Sequence, residues 1–116
     1  MVIKYFQKYR IAIHADYYTK EDEYGITNYI TIECFEKGLP NPIAELRFYD
    51  NIDLRKNIYL ADFQRIILNF HINRFNDVYH LIRHESPVFV SIDLQTLDGN
   101  VASQHEPVGK EDIEKN

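Results

Sequence analysis

The sequence contains one cysteine, no tryptophan and only four glycines. Because Cys34 is alone, no disulfide can form within the chain and no cysteine-based zinc cluster is possible. The glycines, Gly25, Gly38, Gly99 and Gly109, are isolated, which excludes the glycine-rich loops that bind nucleotide phosphates. No nucleophile-elbow motif is present either. These absences disfavour enzymatic function, and the lone cysteine favours a reducing, cytoplasmic setting.

Long apolar runs and a strongly basic composition are also missing. No run approaches the ~18 apolar residues that a membrane span needs, and the N-terminal stretch lacks the apolar core of a signal peptide. The formal charge is -5, and only residues 1–10, with Lys4, Lys8 and Arg10, are locally basic. A duplex nucleic-acid binder usually has a basic working face. We therefore expect a soluble protein without a membrane or duplex nucleic-acid partner.

The composition that is present is typical of a folded domain. The chain has 116 residues, of which 45% are hydrophobic and 27% charged. This length is sufficient for one hydrophobic core. We expect a single β-rich domain over residues 1–106, followed by a flexible charged tail over residues 107–116.

Apolar residues alternate with polar ones in several segments, a pattern that predicts strands. The alternating segments are residues 10–19, 26–35, 44–49, 66–72 and 88–94. The first two are expected to form a hairpin. Residues 57–63 are either a short strand or part of a long loop. Asp98-Gly99 is predicted to form a tight two-residue turn that leads into a last strand.

After residue 72 the apolar period changes to that of a helix. The spacing i, i+3, i+4 and i+7 predicts a helix over about residues 74–84, with Asn73 as its N-cap and its apolar stripe buried. The stripe consists of Phe75, Val78, Tyr79 and Ile82. The predicted fold class is therefore α+β and mainly β: an antiparallel sheet of about six strands, as a small barrel or sandwich, with one helix between the late strands.

Histidines and carboxylates suggest two candidate sites. His80, His84 and Asp77 lie on the helix face opposite the apolar stripe, and histidines at i and i+4 can bind one metal ion. Zinc-enzyme helices place a catalytic glutamate beside the first histidine, but Leu81 occupies that position here. The alternative is a solvated polar face that binds metal only at high concentration. No cofactor is expected.

The second candidate is a polar surface cluster of His14, Asp16, Asn69 and His71. These residues lie on the non-apolar sides of their strands, and together they would suit acid–base chemistry if the strands were neighbours. Ordinary hydrogen-bonded polar residues on a sheet surface would show the same pattern.

Large aromatic side chains oppose the aliphatic stripes of the strands. They are Tyr18, Tyr29, Phe35, Tyr49 and Phe89. Such rings indicate either an interface for a partner or aromatic pairing within an ordinary sheet. We take them as candidate interface residues.

The patterns together favour a non-catalytic interaction module that self-associates as a homo-oligomer, with a further protein partner possible. One alternative is a metal-dependent or acid–base enzyme that uses the surface histidines and aspartates. Another is a barrel in which the stretch "KYFQKYR" stacks single-stranded nucleic acid.

The run from Leu81 to Val88, together with Glu106-Pro107-Val108-Gly109 after a strand and a turn, resembles a pattern found in small bacterial proteins of unknown function. The resemblance covers the last third of the chain. It implies a bacterial protein and brings no catalytic residue or activity with it.

Overall fold

The computed structural model describes residues 1–14, 29–50 and 53–104, which contain eight strands and one α-helix. The strands are β1 (Val2–Phe6), β2 (Lys8–Ile13), β3 (Tyr29–Phe35), β4 (Ala44–Tyr49), β5 (Ile58–Leu60), β6 (Arg65–His71), β7 (Val88–Ile92) and β8 (Gly99–Ser103). The helix α1 spans Phe75–His84 between β6 and β7, and short 3-10 helices cover Ala61–Phe63 and Ile72–Arg74. The predicted mainly β fold with a helix between late strands is confirmed.

The strands form two sheets. A three-stranded antiparallel sheet has the order β1-β7-β8, and a five-stranded sheet has the order β2-β3-β4-β6-β5. The expected β2–β3 pairing is antiparallel, but β4 and β6 pair in parallel, so the prediction of an entirely antiparallel sheet is wrong there. A parallel pair needs a long connection, and residues 50–64, which include β5, supply it. Among the described residues neither sheet closes on itself, which rules out the barrel alternative for this part of the chain.

The strands β1 and β2 follow each other with only Gln7 between them, yet they belong to different sheets. The backbone N–H of Gln7 donates to the carbonyl of Phe35 at 3.0 Å, and its side-chain carbonyl accepts from the N–H of Lys37 at 2.8 Å. These bonds fix the point at which the chain changes sheet. The strand β1 was missed by the sequence pattern, which placed the first strand over residues 10–19.

The core lies between the inner faces of both sheets and α1. Within it, the ring of Phe48 stacks on Phe70 at 5.1 Å and meets the edge of Phe75 at 5.3 Å. In the predicted helical stripe Val78 and Ile82 are buried, while Phe75 and Tyr79 are partly buried. Burial of each aliphatic side chain contributes about 1.5–3 kcal/mol, so packing holds the helix in place. Asn73 does not cap it: α1 begins after Arg74 without a side-chain cap.

The β7–β8 connection is longer than the predicted turn at Asp98-Gly99. Ile92 pairs with Gly99, which leaves residues 93–98 as the loop. The carboxylate of Asp93 accepts hydrogen bonds from the backbone N–H groups of Gln95 at 2.8 Å and Thr96 at 3.2 Å. A carboxylate that accepts from residues two and three positions later favours a turn, and backbone hydrogen bonds from Leu97 to Asp93 and from Asp93 to Asp98 close the loop. The turn therefore forms earlier than the Asp-Gly pair would place it.

Candidate functional site

The outward side of the three-stranded sheet carries exposed apolar side chains. Tyr5 pairs with Phe89 and Phe89 with Ala102 across the three strands, and the rings of Tyr5 and Phe89 lie 5.3 Å apart. Ile3 is 50% exposed and Tyr5 is 44% exposed. We call Ile3, Tyr5, Phe89 and Ala102 the outer aromatic face. Of the predicted interface aromatics, Phe89 lies on it.

Alternation along each strand places these residues outward, because successive side chains of a strand point to opposite sides of the sheet. Phe6 and its partner Val88 are buried on the inner side. Two polar residues complete the outward side, and the hydroxyl of Ser91 donates to the side-chain carbonyl of Asn100 at 2.7 Å. The six outward strand positions therefore carry no charged side chain.

The other predicted aromatics lie elsewhere. Tyr49 is only 1% exposed, and its hydroxyl accepts a hydrogen bond from the N–H of Arg55 at 2.6 Å, so this ring is covered by its own chain. Tyr29 and Phe35 are partly buried in β3 of the five-stranded sheet. Tyr18 lies outside the described residues. The predicted aromatics do not form one common face.

The polar cluster is separated by the strand order. His14, Tyr29, Tyr49 and His71 form one row across β2, β3, β4 and β6. Two strands stand between the histidines, which at about 4.8 Å per strand puts their backbones about 14 Å apart. The row therefore brings the two imidazoles to the same level of the sheet without bringing them into contact.

Each histidine of this row has local partners. His14 stacks on Tyr29 at 4.1 Å, and its Nε2 lies 3.2 Å from the hydroxyl of Thr31. His71 accepts the N–H of Asn73 at its Nδ1, and its Nε2 lies 3.4 Å from Asp50. Asp16 lies outside the described residues. Local contacts therefore explain the positions of both imidazole rings.

The helical metal candidates are exposed. The rings of His80 and His84 lie 4.3 Å apart, as their spacing predicts, and Asp77 forms an ion pair with Arg74 at 3.7 Å. In residues 1–14, 29–50 and 53–104, no three His, Cys, Asp or Glu side chains group together in a way that could hold a metal ion. His80 and His84 would together supply two ligands to a metal ion, and no third ligand within these described ranges is grouped with them.

Cys34 is fully buried in β3. Burial raises the pKa of its thiol far above the ordinary value, and the charge of Glu33 acts in the same direction. A reactive thiol needs exposure and a cationic neighbour. Cys34 is therefore a core residue.

A cavity of about 410 Å³ lies on the outward side of the five-stranded sheet, and the site predictions did not include it. We call it the basic cavity. Its lining residues are Arg47, Arg55, Lys56, Asn57, Ile58, Leu60, Ile67, Asn69 and Leu97. Three of them are cationic and none is acidic. Asn69 is the lining residue that the sequence analysis had singled out. The sequence feature that could have indicated the cavity is the basic pair Arg55-Lys56 just before β5.

Side-chain hydrogen bonds hold one wall of the basic cavity. The Asn57 carbonyl accepts from the N–H of Asn69 at 2.8 Å, and its amide donates to the carbonyl of Leu97 at 3.0 Å. The Asn69 amide donates to the carbonyl of Lys56 at 2.9 Å. Together with the bond between Tyr49 and Arg55, these contacts fix the segment 55–57 although it has no regular secondary structure.

No helix in the described part of the chain is long and apolar enough to cross a membrane. Comparison of the chain with models of protein families, with curated proteins and with solved structures finds no match.

Proposed function

We propose that this chain is a small, cytoplasmic, non-catalytic interaction module that self-associates as a homodimer through the outer aromatic face. The observation that carries the proposal is the exposure of Ile3 and Tyr5 beside Phe89 on a sheet surface. Contiguous exposed apolar patches mark interaction sites in proteins. Two such sheets pack face to face in the manner of a β-sandwich.

The absence of charge on this face supports a second copy as the partner. A twofold symmetric contact brings the same patch of each subunit together, so any charged residue near its centre would meet its own copy and repel it. The outward positions of β1, β7 and β8 hold no charged residue, although the chain as a whole has a net charge of -5. The outer aromatic face is therefore suited to pack against the same face of a second copy.

Ser91, one of the two polar residues of this side, adds little cost to its burial. Ser91 is only 3% exposed in the single chain, and its hydroxyl donates a hydrogen bond to the side chain of Asn100. Burying a polar group costs free energy when it loses a hydrogen bond to water without replacement. Here the hydroxyl keeps its partner in the dimer.

The alternative functions find less support. The imidazoles of His14 and His71 are kept apart by two strands, and Asp77 is paired with Arg74. A single-stranded nucleic-acid site would need Lys4, Lys8 and Arg10 beside exposed rings, but Lys4 lies on the inner side of β1, opposite Val90, and the chain as a whole has a net charge of -5. These observations favour the interaction module.

The test is sedimentation velocity of untagged protein from about 1 µM to about 100 µM, compared with the variants Ile3→Lys and Leu39→Lys. Both positions are exposed aliphatic side chains at 50%, but Leu39 lies in the β3–β4 connection, away from the face. We expect a dimer for the unchanged protein and for Leu39→Lys. For Ile3→Lys we expect a dimer dissociation constant about tenfold higher or more.

A monomer throughout the concentration range would contradict the proposal, as would equal weakening by Leu39→Lys. Melting curves of both variants separate a lost interface from a lost fold, because a surface substitution should change the free energy of unfolding by no more than about 0.5 kcal/mol.

A further inference from the structure

We propose that the basic cavity binds a small amphiphilic anion, a carboxylate carried on a short apolar body. The cavity lies on the five-stranded sheet, whereas the outer aromatic face lies on the three-stranded sheet. The inference is therefore independent of the proposed dimer, and either one can fail alone. A volume of about 410 Å³ is within the range of small-molecule sites in proteins.

The floor of the basic cavity is aliphatic. It is formed by Ile58 and Leu60 of β5, by Ile67 of β6 and by Leu97. Ile58 is 45% exposed. An apolar ligand body would remove this surface from water, which is the main favourable contribution in sites of this kind.

The rim of the basic cavity is cationic. It carries Arg47, Arg55 and Lys56 in a chain whose net charge is negative. Arg47 bonds Glu45 through its Nε at 3.0 Å and through one terminal nitrogen at 3.5 Å. A guanidinium has five N–H donors, so donors remain after this contact. Cations above an apolar floor favour a ligand with an apolar body and an anionic head.

The wall of the basic cavity is held in place before any ligand arrives. The hydrogen bonds of Asn57 and Asn69 fix the segment 55–57 against β6 and the 93–98 loop. The amide nitrogen of Asn69 faces the carbonyl of Lys56, and this contact fixes the orientation of the Asn69 side-chain amide. A preorganised wall lowers the ordering cost of binding.

Leu97 closes one end of the basic cavity in an unusual conformation. Its φ is 64°, in the left-handed region that favours glycine or asparagine. Such a conformation is strained in a residue with a Cβ and persists when surrounding contacts determine it. Here the carbonyl bond from Asn57 and the packing of the side chain against the core supply those contacts. The leucine is thereby kept at the cavity.

The experiment is an amide chemical-shift titration of the ¹⁵N-labelled full chain with three probes: octanoate, octylammonium and acetate. Octanoate should shift the amides of Asn57, Asn69 and Leu97 with saturation. Octylammonium has the same alkyl length and the opposite charge, and acetate has the same head group without the body. We expect both to bind at least about tenfold more weakly than octanoate, the loss expected when one attractive contribution is removed.

Two lysine variants test the charge of the rim. Lys56→Gln should weaken octanoate binding about three- to tenfold, whereas Lys37→Gln, an exposed lysine remote from the cavity, should leave it unchanged. Equal binding of octylammonium and octanoate would overturn the assignment of an anionic ligand. The site itself would be overturned by octanoate shifts that are absent or spread over the surface away from Asn57, Asn69 and Leu97. The dimer would be unaffected by any of these results.

Discussion

The side-chain amide of Asn57 donates a hydrogen bond of 3.0 Å to the carbonyl oxygen of Leu97, forty positions away in the sequence. The same side chain accepts from the backbone of Asn69 at 2.8 Å. Asn57 thus joins β6 of the five-stranded sheet to the loop between β7 and β8 of the three-stranded sheet. One amide side chain holds the two sheets in a fixed relation at this end of the core.

Replacement of Asn57 should therefore destabilise the fold. In Asn57→Ala the carbonyl of Leu97 and the N–H of Asn69 both lose a partner at partly buried positions, and two lost hydrogen bonds at about 0.5–1.5 kcal/mol each amount to about 1–3 kcal/mol. We expect a decrease of that size in the free energy of unfolding, measured by urea denaturation. Asn76→Ala, at an exposed position of α1, is the matched control and should change it by about 0.5 kcal/mol or less. Equal losses in the two variants would show that Asn57 does not join the sheets.

Gly99 lies where β8 begins, and there is no room for a side chain. A Cβ at this position would lie 2.3 Å from Cδ2 of Leu68 and 3.1 Å from the carbonyl oxygen of Ser91. Leu68 is buried in β6, so its movement disturbs the core. Gly99→Ala should lower the free energy of unfolding by about 1–3 kcal/mol.

A second glycine separates steric clash from backbone strain. A Cβ at Gly38 would meet nothing within 4 Å, but its φ of 85° is unfavourable for alanine, so Gly38→Ala should cost about 1 kcal/mol. Shortening the crowding side chain with Leu68→Val should reduce the cost of Gly99→Ala and leave that of Gly38→Ala unchanged. A double-mutant cycle in thermal unfolding measures the difference. An unchanged cost of Gly99→Ala in the Leu68→Val background would contradict the predicted clash.

The loop carboxylate of Asp93 should make stability depend on acidic pH. The N–H groups of Gln95 and Thr96 hold the pKa of Asp93 below its ordinary value against an opposing effect of burial, and the charged N-terminus adds to the lowering. A carboxyl whose pKa is lower in the folded state contributes stability that is complete above the unfolded pKa. This contribution is lost as the pH falls through the folded pKa.

The measurement is the melting temperature at about pH 6 and about pH 3, for the unchanged protein and for Asp93→Asn. The asparagine keeps an acceptor oxygen for the loop but does not titrate. We expect a smaller decrease between the two pH values in Asp93→Asn. Asp62→Asn, at another exposed carboxylate, is the control for the loss of one negative charge. A decrease in Asp93→Asn as large as in the unchanged protein would exclude the loop carboxylate as its source.

Local patterns in the sequence predicted the elements better than their arrangement. Alternation identified the strands now called β3, β4, β6 and β7, and the helical stripe gave α1 to within one residue at its start. β1 was missed because large apolar residues lie on both sides, Val2 and Phe6 inward and Ile3 and Tyr5 outward, and a charged residue, Lys4, lies between the two inward ones. A strand with two apolar faces shows no clean alternation.

The direction of the β4–β6 pair and the β7–β8 loop were wrong for different reasons. Parallel pairing depends on the path of residues 50–64, which no local period encodes. The Asp98-Gly99 signal was overridden by the carboxylate of Asp93, a competing turn former in the same loop.

The sites were only partly predictable for a related reason. Phe89 was found because its ring opposes an aliphatic stripe, but its neighbour Tyr5 belongs to the strand that the pattern missed. The basic cavity gathers Arg47, Lys56 and Leu97 from three separate parts of the chain. Such convergence depends on tertiary contacts and on strand order, which local patterns in a single sequence do not reveal.

Pairing of β1 with β7, with Val2 opposite Ile92, also sets an order of events during synthesis. At about 5–20 residues per second, β1 leaves the ribosome several seconds before its partner strand. All strands of the five-stranded sheet lie within residues 8–71, so their partners are available earlier. The surface formed by Ile3, Tyr5 and Phe89 comes into being last, and a nascent chain cannot present it to another nascent chain before β7 has been made.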